Sequence, residues 1–144
     1  MFKISTRGDY GLLFMASLGE YYREGRSFVS LKKVAERKKL SLRYLSQIVV
    51  PLKEAGLVVS KEGREGGYAL ARGPGEITMM EVLEILEGPV ASVKCCEEKT
   101  AGMCCSEGEC TVKGTWQEAQ KVMVDFLKSK TLADMLKDSA ASRI

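Results

Sequence analysis

A chain of 144 residues is one domain of ordinary size, or a small domain with an appendage, and is long enough to bury a single core without staples. Its 45% hydrophobic and 28% charged residues, with three prolines, exclude a disordered or low-complexity chain, and the absence of histidine excludes imidazole-dependent catalysis and the commonest metal ligand. The net charge of +3 conceals an asymmetry: residues 1–75 carry 14 Lys/Arg against 7 Asp/Glu, whereas residues 76–144 carry 8 against 12, so a polyanionic partner is expected for the front half.

In chain order, Tyr10, Leu13, Phe14, Ser17, Leu18, Tyr21 and Tyr22 recur at three- and four-residue steps, predicting one buried stripe on a helix from about Thr6 to Arg23. The apolar run Gly11 to Leu18 follows Lys3 and Arg7, but Asp9 and Tyr10 abut it and no clean cleavage site follows, so an amphipathic first helix fits better than a signal peptide. No apolar run approaches the ~20 residues of a membrane span, and five cysteines without a secretory signal argue against a disulfide framework. A cytoplasmic protein is expected.

Ser30 caps a short helix bearing Leu31, Val34 and Ala35, and Ser41 precedes a second with Leu42, Leu45, Ile48, Val49 and Leu52. Pro51 is expected to kink that helix or end its first segment, with Gly56 as its C-cap. Residues 57–60 and 68–70 read as a hairpin with a tip rich in glycine. Thr78 and Glu81 form a capping-box pattern ahead of a helix that Gly88-Pro89 stops. Residues 90–114 lack periodicity and hold all five cysteines. Trp116, Ala119, Met123 and Phe126 then mark a heptad-like seam, and Thr131 to Leu136 a short final helix. The chain thus divides into a DNA-binding region (1–75), a connecting helix (76–89), a cysteine-rich loop (90–114) and a dimerisation helix with the C-terminal segment (115–144).

Residues 34–48 meet the needs of a helix-turn-helix: a small residue at the crossing (Ala35), an apolar residue in the turn (Leu40) and anchors on the second helix (Leu45, Ile48). Followed directly by a hairpin, this is a winged helix-turn-helix within a mainly α chain, its second helix suited to the major groove. That helix is expected to expose Arg43, Tyr44, Ser46 and Gln47. Gln47 can read an adenine edge and Arg43 a guanine edge or a phosphate, while Lys32, Lys33, Lys38 and Lys39 suit phosphates. With Ser41 and, on the wing, Arg64, these are the candidate DNA-binding residues. No paired carboxylates in an identifiable cleft, phosphate loop or nucleophile–base set indicates an enzyme.

The run Ile4-Ser5-Thr6-Arg7-Gly8-Asp9-Tyr10-Gly11-Leu12 resembles the opening of the IscR-type family of bacterial winged-helix transcription regulators. Leu42-x-Tyr44-Leu45-x-Gln47, Ala55-Gly56-Leu57-Val58, Gly66-Gly67-Tyr68-x-Leu70, Glu81-Val82 through Glu87-Gly88, Trp116 and Thr131-Leu132-Ala133-Asp134 also match. The resemblance covers nearly the whole chain. It implies a homodimer built through the helix after the cysteine loop, recognising a pseudo-palindromic duplex operator. Where the family often has arginine before glycine at the wing tip, Glu62-Gly63 stands here, with Arg64 next in line.

Cluster-bearing relatives use three loop cysteines, the last two separated by five residues and the last six positions before the tryptophan. Cys104, Cys110 and Trp116 reproduce that spacing. The resemblance therefore implies an iron–sulfur cluster, 2Fe-2S in type, on Cys104, Cys110 and either Cys96 or Cys95; soft thiolates match iron. Some relatives place a histidine ligand where Lys113 stands, so the fourth ligand lies elsewhere: Cys105, the unused member of the first pair, or Asp9. Asp9 also has the plain reading of an acid favoured at a helix N-terminus. Rival readings are a four-thiolate zinc site, a thiol–disulfide switch and no ligand at all. Ligation is expected to order the loop and so set the spacing of two recognition helices against half-sites about 34–36 Å apart. The alternative functions are a zinc- or thiol-switched or cluster-free winged-helix repressor and, from another class, a small redox or electron-transfer protein.

Overall fold

Ser5 opens the first helix, α1 (Thr6–Arg23): its hydroxyl accepts the Gly8 N–H at 3.2 Å and so satisfies one of the donors a helix start leaves over. The structure, a computed structural model, describes residues 3–25, 27–90 and 110–141. α1 is the central element, and helices and the hairpin that follow in the chain pack around it. Its buried surface is therefore wider than one stripe. Gly8, Gly11, Leu12, Met15 and Gly19 are buried alongside Phe14, Ser17, Leu18 and Tyr21, whereas Leu13 and Tyr22, expected inside, are exposed.

Helices α2 (Leu31–Lys38) and α3 (Leu42–Glu54) form the helix-turn-helix, each capped by the serine before it: Ser30 accepts from Lys33 N–H and Ser41 from Tyr44 N–H. Between them Lys39 takes the left-handed conformation (φ 55°), and Leu40 N–H closes onto the Ala35 carbonyl at 2.9 Å. Of the two outcomes expected at Pro51, a kink or the end of a segment, the second does not occur: α3 runs through the proline to Glu54. Leu45, Ile48, Val49 and Leu52 are buried on both sides of the proline and hold the helix to the core. Gln47, whose carbonyl loses its usual N–H partner, is exposed to water. The helix ends in a Schellman motif: Gly56 N–H donates to the Lys53 carbonyl and Leu57 N–H to that of Leu52, with Gly56 at φ 81°.

Strands β1 (Val58–Lys61) and β2 (Gly67–Leu70) pair antiparallel, Val58 opposite Leu70 and Lys61 opposite Gly67, and make the wing. The far edge of β2 is paired too. Val29 and Tyr68 exchange both backbone hydrogen bonds, at 3.0 and 2.8 Å, tying the approach to α2 onto the wing. Gly67 makes this junction. At φ 141° it takes a conformation L side chains avoid, and a Cβ there would lie 2.2 Å from the Val29 carbonyl oxygen.

A 3-10 turn (Pro74–Glu76) leads to α4 (Met79–Glu87), capped by the predicted Thr78–Glu81 box and ended at Gly88. α5 (Lys113–Ser129) and α6 (Leu132–Ala141) complete the described elements; α6 runs five residues beyond the predicted Leu136. Met79 N–H donates to the Lys130 carbonyl and Leu132 N–H to that of Ile77, so the α5–α6 junction is stitched to the start of α4. Thr131 and Asp134 box the start of α6 as Thr78 and Glu81 do that of α4. Ile77, Val82, Leu83 and Leu132 close one core with Phe14, Met15 and Leu45. α5 buries only Leu127 and leaves Trp116, Val122 and Phe126 exposed, Val122 at 65%. No helix among the described residues is long and apolar enough to cross a membrane.

Candidate nucleic-acid interface and cysteine segment

The serine cap and the buried row of α3 leave its opposite side to solvent, and on it stand Ser41, Arg43, Ser46 and Gln47. They begin at the helix N-terminus, whose backbone donors favour an anion. Ser46 Oγ donates to the Leu42 carbonyl at 2.8 Å, so toward a partner it offers its lone pairs. Tyr44, expected to be exposed with them, is half-buried. Its ring meets that of Tyr10 edge-on, with centroids 5.5 Å apart at 85°. The contact joins α3 to α1.

The basic patch of residues 32–43 divides by role. Lys32 and Lys33 are exposed at the start of α2, and Lys39 is exposed in the turn. Lys38, expected among the phosphate-contacting lysines, instead donates to Glu20 Oε1 at 2.9 Å. Arg37 lies 3.4 Å from Glu20 and 3.5 Å from Glu24 and sits over the Tyr21 ring at 5.1 Å. A hydrogen bond with Tyr21 and these carboxylates raise the pKa of its guanidinium above the ordinary value. Each bridge is worth little alone, but together they pin α2 onto α1. The positions of Lys38 and Arg37 depend on Glu20 and Tyr21, a helix away, which local charge density does not reveal.

Arg64 is exposed in the wing-tip turn, where Gly66 N–H donates to the Gly63 carbonyl at 3.1 Å. Beneath the tip lies an open cleft of about 710 Å3 bordered by Lys33, Lys61 and Arg64. Lys61 was not among the sequence candidates. Strand pairing with Gly67 turns it toward the Phe28 ring, at 5.8 Å, and only the alternation of the strand could have indicated that.

Of the five cysteines, Cys110 lies within the described residues. It is half-buried, carries a free thiol and stands just ahead of α5. Cys95, Cys96, Cys104 and Cys105 lie outside the described residues. Asp9 is exposed in the first turn of α1, where the helix dipole favours it. No group of three or more Cys, Asp or Glu among the described residues is arranged to hold a metal ion. The chain enters the cysteine segment from the end of α4, which is fastened to α1: Glu87 Oε1 accepts both the backbone N–H and the hydroxyl of Ser5. Gly8, the residue before Asp9, lies against Glu87 at that exit.

The family model for Rrf2, described as an iron-dependent transcriptional regulator, matches residues 4–138. The chain is 38% identical over 133 residues to the HTH-type transcriptional regulator CymR of Bacillus subtilis, covering 92% of this chain and 88% of the relative. Among solved structures, CymR of B. subtilis, described as its global cysteine regulator, superposes with a TM-score of 0.76 at 37% identity, over 94% of this chain and 96% of that one. IscR of T. potens superposes with a TM-score of 0.78 at 36% identity, over 99% and 92%. The fold thus recurs in proteins named as regulators, and the chain belongs to the Rrf2 family of transcriptional regulators.

Proposed function

We propose that the chain is a homodimeric repressor of the cytoplasm that binds a pseudo-palindromic duplex operator and whose affinity is set by an iron–sulfur cluster, 2Fe-2S in type. Cys104, Cys110 and one of Cys96 and Cys95 hold the cluster, with Cys105, the spare cysteine or Asp9 as fourth ligand. The observation that carries the DNA half is the α3 face: Arg43, Ser46 and Gln47 project from a helix held rigidly on α1, with Lys32, Lys33, Lys39, Ser41 and Arg64 around it. Side chains on a packed helix keep their geometry toward base edges better than side chains on a loop. The exposed α5 seam supports the dimer, because Trp116, Val122 and Phe126 are apolar groups left in water by one copy alone.

The cluster half rests on the donor set. Five thiols within sixteen positions suit iron, and the one described, Cys110, is unbridged and partly accessible, as a ligand must be before loading. The iron-dependent description of the family model and the likeness to an IscR structure support it. When bound, such a cluster supplies a centre sensitive to oxidation. The chain's own part is mechanical. Residues 88–112 join the Ser5–Glu87 fastening to the first turn of α5, so restraint there reaches both the base of α1 and the seam that sets the dimer.

A second reading is favoured by the likeness to CymR, described as a cysteine regulator: the same DNA-binding dimer with zinc, a thiol switch or no ligand in the segment. Anaerobic purification separates the two. The cluster reading expects a coloured protein containing iron and sulfide, its visible absorption lost on Cys104→Ala or Cys110→Ala. A colourless protein, with stoichiometric zinc or without metal, rejects it.

A further inference from the structure

α5 packs chiefly against α4 and is tied to the ends of that helix at two points. Near the close of α5 the Lys130 carbonyl accepts the Met79 N–H at 2.8 Å. Nearer its start, Gln120 Nε2 donates to the carbonyl of Val90, just past the Gly88-Pro89 stop of α4. The two helices therefore run antiparallel. Between the ties Met123, Val124 and Leu127 pack on the core. Gln120 extends that inward stripe at steps of three and four, so a polar side chain stands where the pattern calls for an apolar one, and a main-chain carbonyl satisfies its amide. The acceptor is itself anchored, because the Val90 side chain packs on the core. Ahead of Gln120, residues 114–119 are exposed, and residues 113–119 carry the helix about 10 Å past the tie. Cys110 stands just before that projecting part.

We propose that Gln120 is a positioning residue for the thiols of the cysteine segment. The inference rests on the reading of that segment as a ligand-holding site and adds to it a residue outside the segment. The segment departs beyond Val90 and returns through Cys110 to the projecting turns of α5. With the hydrogen bond made, departure and return keep a fixed relation through α5. Without it, the nearest hold of α5 on the core is the Met123–Leu127 stripe, and a partly buried carbonyl loses its donor. The set of the projecting turns, and with it the place of Cys110, then loosens.

The test uses the full-length chain purified without air and two readouts. One is the rate at which a strong chelator removes iron, followed by visible absorption. The other needs no metal: the rate at which iodoacetamide alkylates Cys110 in a chain whose other four cysteines are serine. Gln120→Met keeps the length and packing of the side chain but removes the donor, and is expected to speed both several-fold with the melting temperature near that of the wild type. Gln120→Lys restores a donor of similar reach and should return both rates toward wild type. Wild-type rates of alkylation or of iron loss in Gln120→Met overturn the role of Gln120 and leave the cluster reading standing. Equal acceleration in Gln120→Lys, or a melting temperature that falls in step with the rates, assigns the effect to general packing and also overturns it. A wild type without iron overturns the cluster reading, while the alkylation rates still decide whether Gln120 places Cys110.

Discussion

At the scale of single residues, local chemistry is what the sequence conveys best. Ser30, Ser41, the Thr78–Glu81 pair and the Thr131–Asp134 pair all cap helices as their spacing implies, because a cap is satisfied within four residues. Tyr44 and Lys38 were misplaced because their partners, Tyr10 and Glu20, lie on another helix. Two predictions belong here. Arg43→Ala should weaken specific operator binding by about 1–3 kcal/mol while leaving non-specific binding less affected, measured by titration of both duplexes. The second concerns Glu81. Burial favours its neutral form, but hydrogen bonds from Arg72 and from the Thr78 N–H outweigh that and hold its carboxyl below the usual range. Asp134 is lowered by the Thr131 backbone N–H and hydroxyl. Since these groups are lowered in the folded state, the stability they contribute is full above the unfolded values, near about 4, and is lost as pH falls through the folded ones. Thermal melts should therefore decline on acidification through that range, and Glu81→Gln should decline less.

At the scale of elements, periodicity revealed which helices exist but not how many sides each would bury. α1 reads as one stripe, yet other elements pack against it on several sides, so Gly8, Gly11 and Leu12 are buried while Leu13 and Tyr22 stay outside. α3 survives Pro51 because burial of Leu45, Ile48 and Leu52 outweighs the lost hydrogen bond. The third, one-residue partner of the wing, Val29, has no sequence signature beyond its β-branch; only Gly67, forced by that close approach, marks it. Gly67→Ala should cost at least about 2 kcal/mol in a denaturant titration, since the obstacle is a backbone carbonyl and the conformation is strained for any Cβ. Conversely, α5 reads as a seam, and Trp116, Val122 and Phe126 along it are exposed in the single chain. Val122→Glu with Phe126→Glu should shift the protein to monomers in analytical ultracentrifugation with its helical circular dichroism preserved, because neither side chain is part of the monomer core.

At the scale of the whole molecule, the winged helix and the cysteine segment are written into the sequence in different ways. The winged helix was legible because its pieces are contiguous: helix, turn, helix and hairpin follow within forty residues. The cysteine segment was legible as chemistry alone, five soft ligands in sixteen positions, and its geometry follows from no pattern of propensity or periodicity. What the fold adds is its mounting. The segment leaves from Glu87, fastened to Ser5 at the base of α1, and returns at Cys110 just before α5, whose far end is stitched to residues 77–79. The most direct test of the central claim is operator affinity measured anaerobically before and after removal of the metal centre, in the wild type and in Cys110→Ala. The account predicts that removal changes the wild-type affinity and that Cys110→Ala behaves like the stripped protein throughout. Equal affinity in all of these states would contradict it.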